Sequence, residues 1–206
     1  MIQSIREDEI IKVLPKYDPD IKFPDFRFGL THKPDIELML KCLISVNAKS
    51  IFEFGTWEGH TTSILAQYMD MVYTIDIPLE YVNDKSQFLP IQLSEPLERD
   101  MIGKYSRGKE NVVQFYGDST DIELMNVVMA SIGCPVDSCF IDANHKIESV
   151  LSNSMTATGM VKRGGLLVWH DVFYSLINDV AVALAILPYK IYHILGTMIG
   201  VMVNDT

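Results

Sequence analysis

Five short stretches hold residues whose types and spacing suit chemistry: Glu53-Phe54-Gly55-Thr56-Trp57-Glu58-Gly59-His60-Thr61, Asp76, Gly117-Asp118-Ser119, Asp142-Ala143-Asn144-His145 and His170-Asp171. In the first, glycines recur four apart, as in a tight turn whose backbone comes close to a ligand. Trp57 stands where a dinucleotide-binding GxGxxG turn needs its second glycine, and Glu53 and Glu58 would repel a pyrophosphate. The pattern favours a nucleoside ligand without phosphates, with a plain strand-to-helix turn as the alternative. Asp76 lies twenty-one positions after Gly55, the spacing at which a carboxylate accepts from both ribose hydroxyls in nucleotide-binding α/β proteins. Asp118 and Ser119 are placed to meet the exocyclic amine of adenine, while Ser119 and Asp121 equally suit a helix N-cap.

An apolar run stands directly before each stretch. Ser50–Phe54, Val72–Ile77, Val112–Tyr116, Val136–Ile141 and Leu166–His170 read as strands. Helical spacing falls between them, over Thr61–Tyr68, over Ile122–Ile132, and from near Glu148 to a Gly164-Gly165 turn; another helix follows at Asn178–Leu187. Alternation of this kind predicts an α/β protein with a mostly parallel sheet, whose ligands bind beyond the carboxyl ends of the strands. Two last strands, Ile191–Leu195 and Ile199–Val203, are joined by only Gly196–Met198, too short for a parallel crossover, so one strand must run antiparallel. Upstream, Ile2–Leu14 and Asp35–Val46 read as helices joined by a connector, Pro15–Pro34. The polar stretch Pro78–Lys109 reads as loop and exposed helix, and as the most mobile segment.

Composition narrows the function. The 206 residues carry 27 Asp plus Glu against 17 Lys plus Arg, a net charge of -10 that repels a phosphate backbone, so nucleic acid is not the expected substrate. A hydrophobic content of 48% supplies the core of one domain at this length. Cys42, Cys134 and Cys139 form no CxxC pair and read as small buried hydrophobes of a reducing, cytoplasmic protein. Arg6 to Glu9 interrupt any signal-peptide core, and the longest apolar run, Val180–Leu187, is far short of a membrane span. The small basic group Lys104, Arg107 and Lys109 is read first as a solvated face.

Taken in order, the Glu53-x-Gly55-x-x-x-Gly59 turn, Asp76, Gly117-Asp118-Ser119, Phe140-Ile141-Asp142-x-x-His145 and Gly164-Gly165-Leu166-x-x-Trp169-His170-Asp171 resemble the class I S-adenosylmethionine-dependent methyltransferases, in their small-molecule, methyltransferase-24-like branch. The resemblance implies a Rossmann-like, seven-stranded, mostly parallel sheet of order 3-2-1-4-5-7-6 with the last strand antiparallel and helices on both faces. It implies a single methyltransferase domain over residues 1–206, with 1–48 a helical extension and 49–206 the core. For S-adenosylmethionine it implies that Gly55, Thr56 and Gly59 form the cofactor turn and Glu53 sits near the amino group. Asp76 would hold the ribose, Asp118 and Ser119 would frame the adenine, and Asp142 would face the reacting methyl.

Methyl transfer to a hydroxyl needs alignment and removal of a proton. Asp142, His145 and His170 are the catalytic candidates, with either histidine as base. The other route is a divalent cation, Mg²⁺ or another, on Asp142 and Asp171. Imidazole at His170 replaces one hard oxygen ligand of the metal-dependent branch, and Asn153 stands where an acid is common there. The expected partner is a small-molecule acceptor such as a sugar or secondary metabolite, with no nucleic acid or membrane, and homo-oligomerisation is compatible with the fold. Phe23, Phe26 and Phe28 would cover the acceptor or pack on the sheet edge. An NAD(P)-dependent oxidoreductase and a non-catalytic nucleoside- or partner-binding module are the alternatives.

Overall fold

A computed structural model describes residues 1–26, 29–82, 96–173 and 179–205. The elements in chain order are β1 (Ile2–Ile5), a 3-10 helix (Glu7–Lys12), α1 (Lys33–Ser45), β2 (Ser50–Phe54), α2 (His60–Leu65) and β3 (Met71–Asp76). After the polar stretch come β4 (Val112–Tyr116), α3 (Ile122–Ile132), β5 (Val136–Ile141), α4 (Ile147–Met160), β6 (Val161–Trp169), α5 (Asp179–Ile186), β7 (Ile191–Ile194) and β8 (Gly200–Val203). They build one sheet of order β1-β7-β8-β6-β5-β2-β3-β4. Only β8 runs antiparallel to its neighbours, β6 and β7. Counted from β2, this is the order that the resemblance implies, with one strand added beyond β7.

That added strand corrects the reading of Ile2–Leu14 as a helix. Ile2, Ile5, Ile10 and Leu14 suit a helical stripe, but the open edge of β7 offers backbone partners, and Ile2–Ile5 pairs along Ile191–Ile194 in parallel register. Edge pairing satisfies backbone groups that local periodicity cannot report. A second correction concerns Gly164-Gly165. No turn there ends the helix: α4 stops at Met160, and the glycines lie within β6, where its register against β5 shifts between Val136↔Val161 and Ser138↔Leu166.

Side chains of the central strands alternate between two cores. Ile51, Val72, Phe140, Leu166 and Val168 pack with α1 and α2, whereas Phe52, Phe54, Cys139, Leu167 and Trp169 pack with α3, α4 and α5. A polar row crosses the first face, because the register sets Glu53 beside Thr74 and Thr74 beside Gln114. Phe23 and Phe26 pack on Tyr68, their rings meeting it edge-on at 5.5 and 6.0 Å. Phe28 lies outside the described residues.

Residues 83–95 of the polar stretch likewise lie outside the described residues. The rest of it is pinned to the glycine turn: Gly103 N–H donates to Trp57 O (2.8 Å), Tyr105 N–H to Glu58 O (3.0 Å), Lys104 pairs with Glu58, and the Tyr105 ring lies 3.9 Å from that of His60. Arg107 donates to the Asp100 and Ile102 carbonyls. Among the described residues no helix is long and apolar enough to cross a membrane. The two segments meet at Gly59, whose φ is +84° and where a Cβ would lie 2.8 Å from Gly103 Cα. Gly59→Ala should therefore lower the unfolding free energy in urea by about 2–4 kcal/mol, from left-handed strain plus overpacking.

Candidate active site

The carboxyl ends of β2 to β6 converge on one cavity of about 540 Å³. All five stretches singled out in the sequence line it, joined by Gly29-Leu30-Thr31-His32 and Met198. Five carboxylates, Glu53, Asp76, Asp118, Asp142 and Asp171, face it, and its described lining contains no lysine or arginine.

The glycine turn is organised from below. Asp76, at the end of β3, accepts from Thr56 N–H (2.9 Å) and Trp57 N–H (2.6 Å) on Oδ2 and from Ile77 N–H (2.7 Å) on Oδ1. Burial pushes its carboxyl up from the usual range against these three amide bonds. Gly55 is glycine for its own backbone neighbour, since a Cβ there would lie 2.2 Å from Asp142 O. Thr56 turns its hydroxyl inward to Thr74 (2.7 Å) and Gln114 (3.0 Å) rather than toward the cavity.

Glu53 is fully buried, and its Oε2 accepts from Thr62 (2.5 Å) and Thr74 (2.8 Å). Its Oε1 has no partner among the described residues. Burial pushes this carboxyl up to about 8 despite the two threonine bonds. It is a largely neutral acid at pH 7 with one oxygen that has no partner among the described residues. Asp118 Oδ1 accepts from the amide and hydroxyl of Thr120, and it is Asp121 that caps α3. Ser119 lines the cavity.

Opposite the glycine turn stand two carboxylates and two imidazoles. His170 Nδ1 lies 3.5 Å from Asp142 Oδ1 and 3.3 Å from Asp171 Oδ2; His145 Nε2 lies 2.7 Å from Asp171 Oδ2 and 3.9 Å from Asp142 Oδ1. The short contact to Asp171 is poorly aligned, and neither ring nitrogen of His145 makes a hydrogen bond among the described residues. Asp171 takes φ +56°, a strained conformation that turns its carboxylate into the group. Burial alone would lower both imidazoles, but the carboxylates push His145 up to about 9 and His170 well above its ordinary value. Reciprocally, burial would raise the carboxyls, but the His170 charge and the contacts of both imidazoles hold Asp142 well below the usual range, and Asp171 is also lowered.

Donor atoms of Asp142, His170 and Asp171 lie within 4.8 Å of one another, so this set of two oxyanions and one imidazole fits a divalent cation. Asn153 is fully buried in α4, away from the cavity lining, and adds no ligand.

Sequence reasoning missed Asp35. It occupies the first turn of α1, 2% exposed, with Oδ1 accepting from Met198 N–H (2.8 Å) and Oδ2 3.3 Å from His170 Nε2. An acid in a first turn is ordinary dipole chemistry, so nothing local marks this one as part of the site. Thr62 and Thr74 were also missed, although the period-2 alignment of Thr74 with Glu53 is a usable signal.

Residues 52–172 match the methyltransferase domain family Methyltransf_24. The fold is similar to that of the calicheamicin methyltransferase (12% identity, TM-score 0.59, covering 97% of this chain and 86% of that one). It is also similar to an rRNA methylase from Streptococcus thermophilus (13%, 0.56, 87% and 100%). The methyltransferase of the mycinamycin pathway, solved with Mg and SAH, resembles it as well (16%, 0.50, 87% and 44%). No curated protein matches the sequence. The family match spans more than half of the chain and ends just past the Asp142, His145, His170 and Asp171 group, so the chain belongs to the methyltransferase domain family, on the class I S-adenosylmethionine-dependent methyltransferase fold.

Proposed function

We propose that the protein transfers a methyl group from S-adenosylmethionine to an oxygen of a small neutral molecule, such as a sugar or a secondary metabolite. The observation that carries this reading is the make-up of the cavity wall: five carboxyl groups, Asp142 and Asp171 matched by His145 and His170, Glu53 and Asp76 facing no cation, and in the described lining no lysine or arginine. Such a wall takes up a sulfonium and an ammonium on its uncompensated side, and holds no lysine or arginine for the pyrophosphate of a nicotinamide cofactor or for an anionic or nucleic-acid acceptor. Calicheamicin and mycinamycin methyltransferases sharing the fold support a metabolite acceptor.

In this reading Glu53 Oε1 accepts from the cofactor's ammonium. Asp76 Oδ1, with a single amide donor, is the oxygen left for the ribose, and Asp118 with Ser119 borders the adenine. Gly29 to His32 and Met198 form the acceptor side. His145, held as the imidazolium near neutral pH by Asp142 and Asp171, takes the acceptor's proton in its deprotonated form, so transfer should rise as pH approaches about 9. His170 stands beside the same two carboxylates. Asp142 and Asp171 would hold a divalent cation, Mg²⁺ in the mycinamycin enzyme, which when bound lowers the pKa of an acceptor hydroxyl.

Calorimetry should show saturable binding of S-adenosylmethionine and S-adenosylhomocysteine and none of NADH; saturable binding of NADH alone would overturn the reading. Asp76→Ala should weaken S-adenosylhomocysteine roughly 10–100-fold, the value of a charged hydrogen bond plus the turn it holds.

Glu53 gives a proton-linkage prediction. Its carboxyl sits near 8 in the free protein, above its unfolded value. The native state thus binds the extra proton between about pH 4.5 and 8, and stability falls as pH rises through that window. An arriving ammonium favours the carboxylate, so S-adenosylhomocysteine binding near pH 7 should release a proton, seen as a buffer-dependent calorimetric enthalpy. Glu53→Gln should abolish both the release and that part of the pH dependence. His145→Ala should slow transfer of labelled methyl to hydroxylated acceptors by about 10²–10⁴-fold while leaving S-adenosylhomocysteine affinity intact.

A further inference from the structure

We propose that Asp142 Oδ1, His170 Nδ1 and Asp171 Oδ2 form a three-point site for a first-row transition dication of the Fe²⁺ to Zn²⁺ series rather than for Mg²⁺, and that Asp35 on α1 is the residue that orients the imidazole toward it. The inference rests on the reading that a divalent cation assists transfer here, and it names which ion and how this chain holds its nitrogen ligand.

Three observations carry it. The donor set is mixed: Mg²⁺ takes oxygen ligands and keeps its water, whereas an imidazole beside two carboxylates suits the later first-row ions. The spacing is compatible. Ligands that share one ion at about 2.1 Å lie roughly 3.0–3.5 Å apart; His170 Nδ1 is 3.5 Å from Asp142 Oδ1 and 3.3 Å from Asp171 Oδ2, and all three donor groups come within 4.8 Å of one another.

The third observation is the far side of the ring. Ligation through Nδ1 requires the proton on Nε2, and Asp35 Oδ2 lies 3.3 Å from that atom while Asp35 Oδ1 is fixed by Met198 N–H. A carboxylate behind a ligating imidazole fixes its tautomer and raises its basicity. His170 is 6% exposed, Asp35 is 2% exposed, and the Phe140 ring packs edge-on to the imidazole at 6.3 Å, so the ring is enclosed where Asp35 meets it. His145 lines the cavity beside Asp171, its Nε2 2.7 Å from Asp171 Oδ2.

The test is calorimetric titration of the full chain with Co²⁺ and with Mg²⁺, with proton NMR of the Co²⁺ form. Co²⁺ should bind one ion per chain and more tightly than Mg²⁺, and a hyperfine-shifted exchangeable resonance should report the His170 Nε2–H. His170→Asp, which restores a third carboxylate, should remove that resonance and cut the preference for Co²⁺ over Mg²⁺ by roughly tenfold or more. Asp35→Asn keeps an oxygen for Met198 and should weaken Co²⁺ by roughly 10–100-fold, with S-adenosylhomocysteine affinity unchanged. A preference that survives His170→Asp, Mg²⁺ binding as tight as Co²⁺, or a wild-type Co²⁺ form without a shifted exchangeable proton would each overturn the proposal. S-adenosylhomocysteine titrations keep the two readings apart. If the wild-type chain fails to bind it, the methyltransferase reading falls; if it binds and the metals are not discriminated, only the metal assignment falls.

Discussion

The cavity depends on one carboxylate beneath the glycine turn. Asp76 gathers the amides of Thr56, Trp57 and Ile77, and so fixes the chain where it leaves β2 and β3. That grip keeps Trp57 in a left-handed conformation, φ +50°, unusual for a bulky residue and tolerated only where the surroundings over-determine it. With the turn set, its carbonyls receive the amides of Gly103 and Tyr105, and the segment after residue 96 closes over it. Remove the carboxylate and three amide donors lose their acceptor at once, together with the shape of the wall that they form.

The acids around the cavity fall into two electrostatic groups. Asp142 and Asp171 face His145 and His170 and are held ionised. Glu53 and Asp76 have no cation near them among the described contacts, and burial drives both toward the neutral acid. One side of the site is thus internally compensated, and the other gains from the entry of positive charge. Low local dielectric strengthens both effects.

Much of this was legible in the sequence because it rests on short-range patterns. β-branched runs marked β2 to β6, a three-residue connection required β8 to be antiparallel, and each polar stretch fell at a strand end where the parallel sheet gathers them. The misses share a physical cause, which is partnership across long sequence separation. Ile2–Ile5 is a strand only because β7 lies beside it. Gly164-Gly165 looked like a helix stop because a bulge and a turn use the same residue. Asp35 stands where any acid of a first helical turn would, and only the fold brings it, 135 positions from its histidine in sequence, to 3.3 Å from it in space. Gly55 and Gly59, singled out for the approach of a ligand, also make room for the protein's own backbone at Asp142 and Gly103.

The pairing of β1 with β7 also sets an order of events during synthesis. Residues 2–5 leave the ribosome 189 positions ahead of their hydrogen-bond partners, residues 191–194. Until β7 has been made this strand lacks the edge it joins, while β2 to β6 can already assemble behind it. Closure of the sheet at this edge therefore follows assembly of its centre. Met198, whose amide fixes Asp35, emerges in the same late segment, so the protein completes its outer edge and aligns its buried histidine at the same moment in its own making.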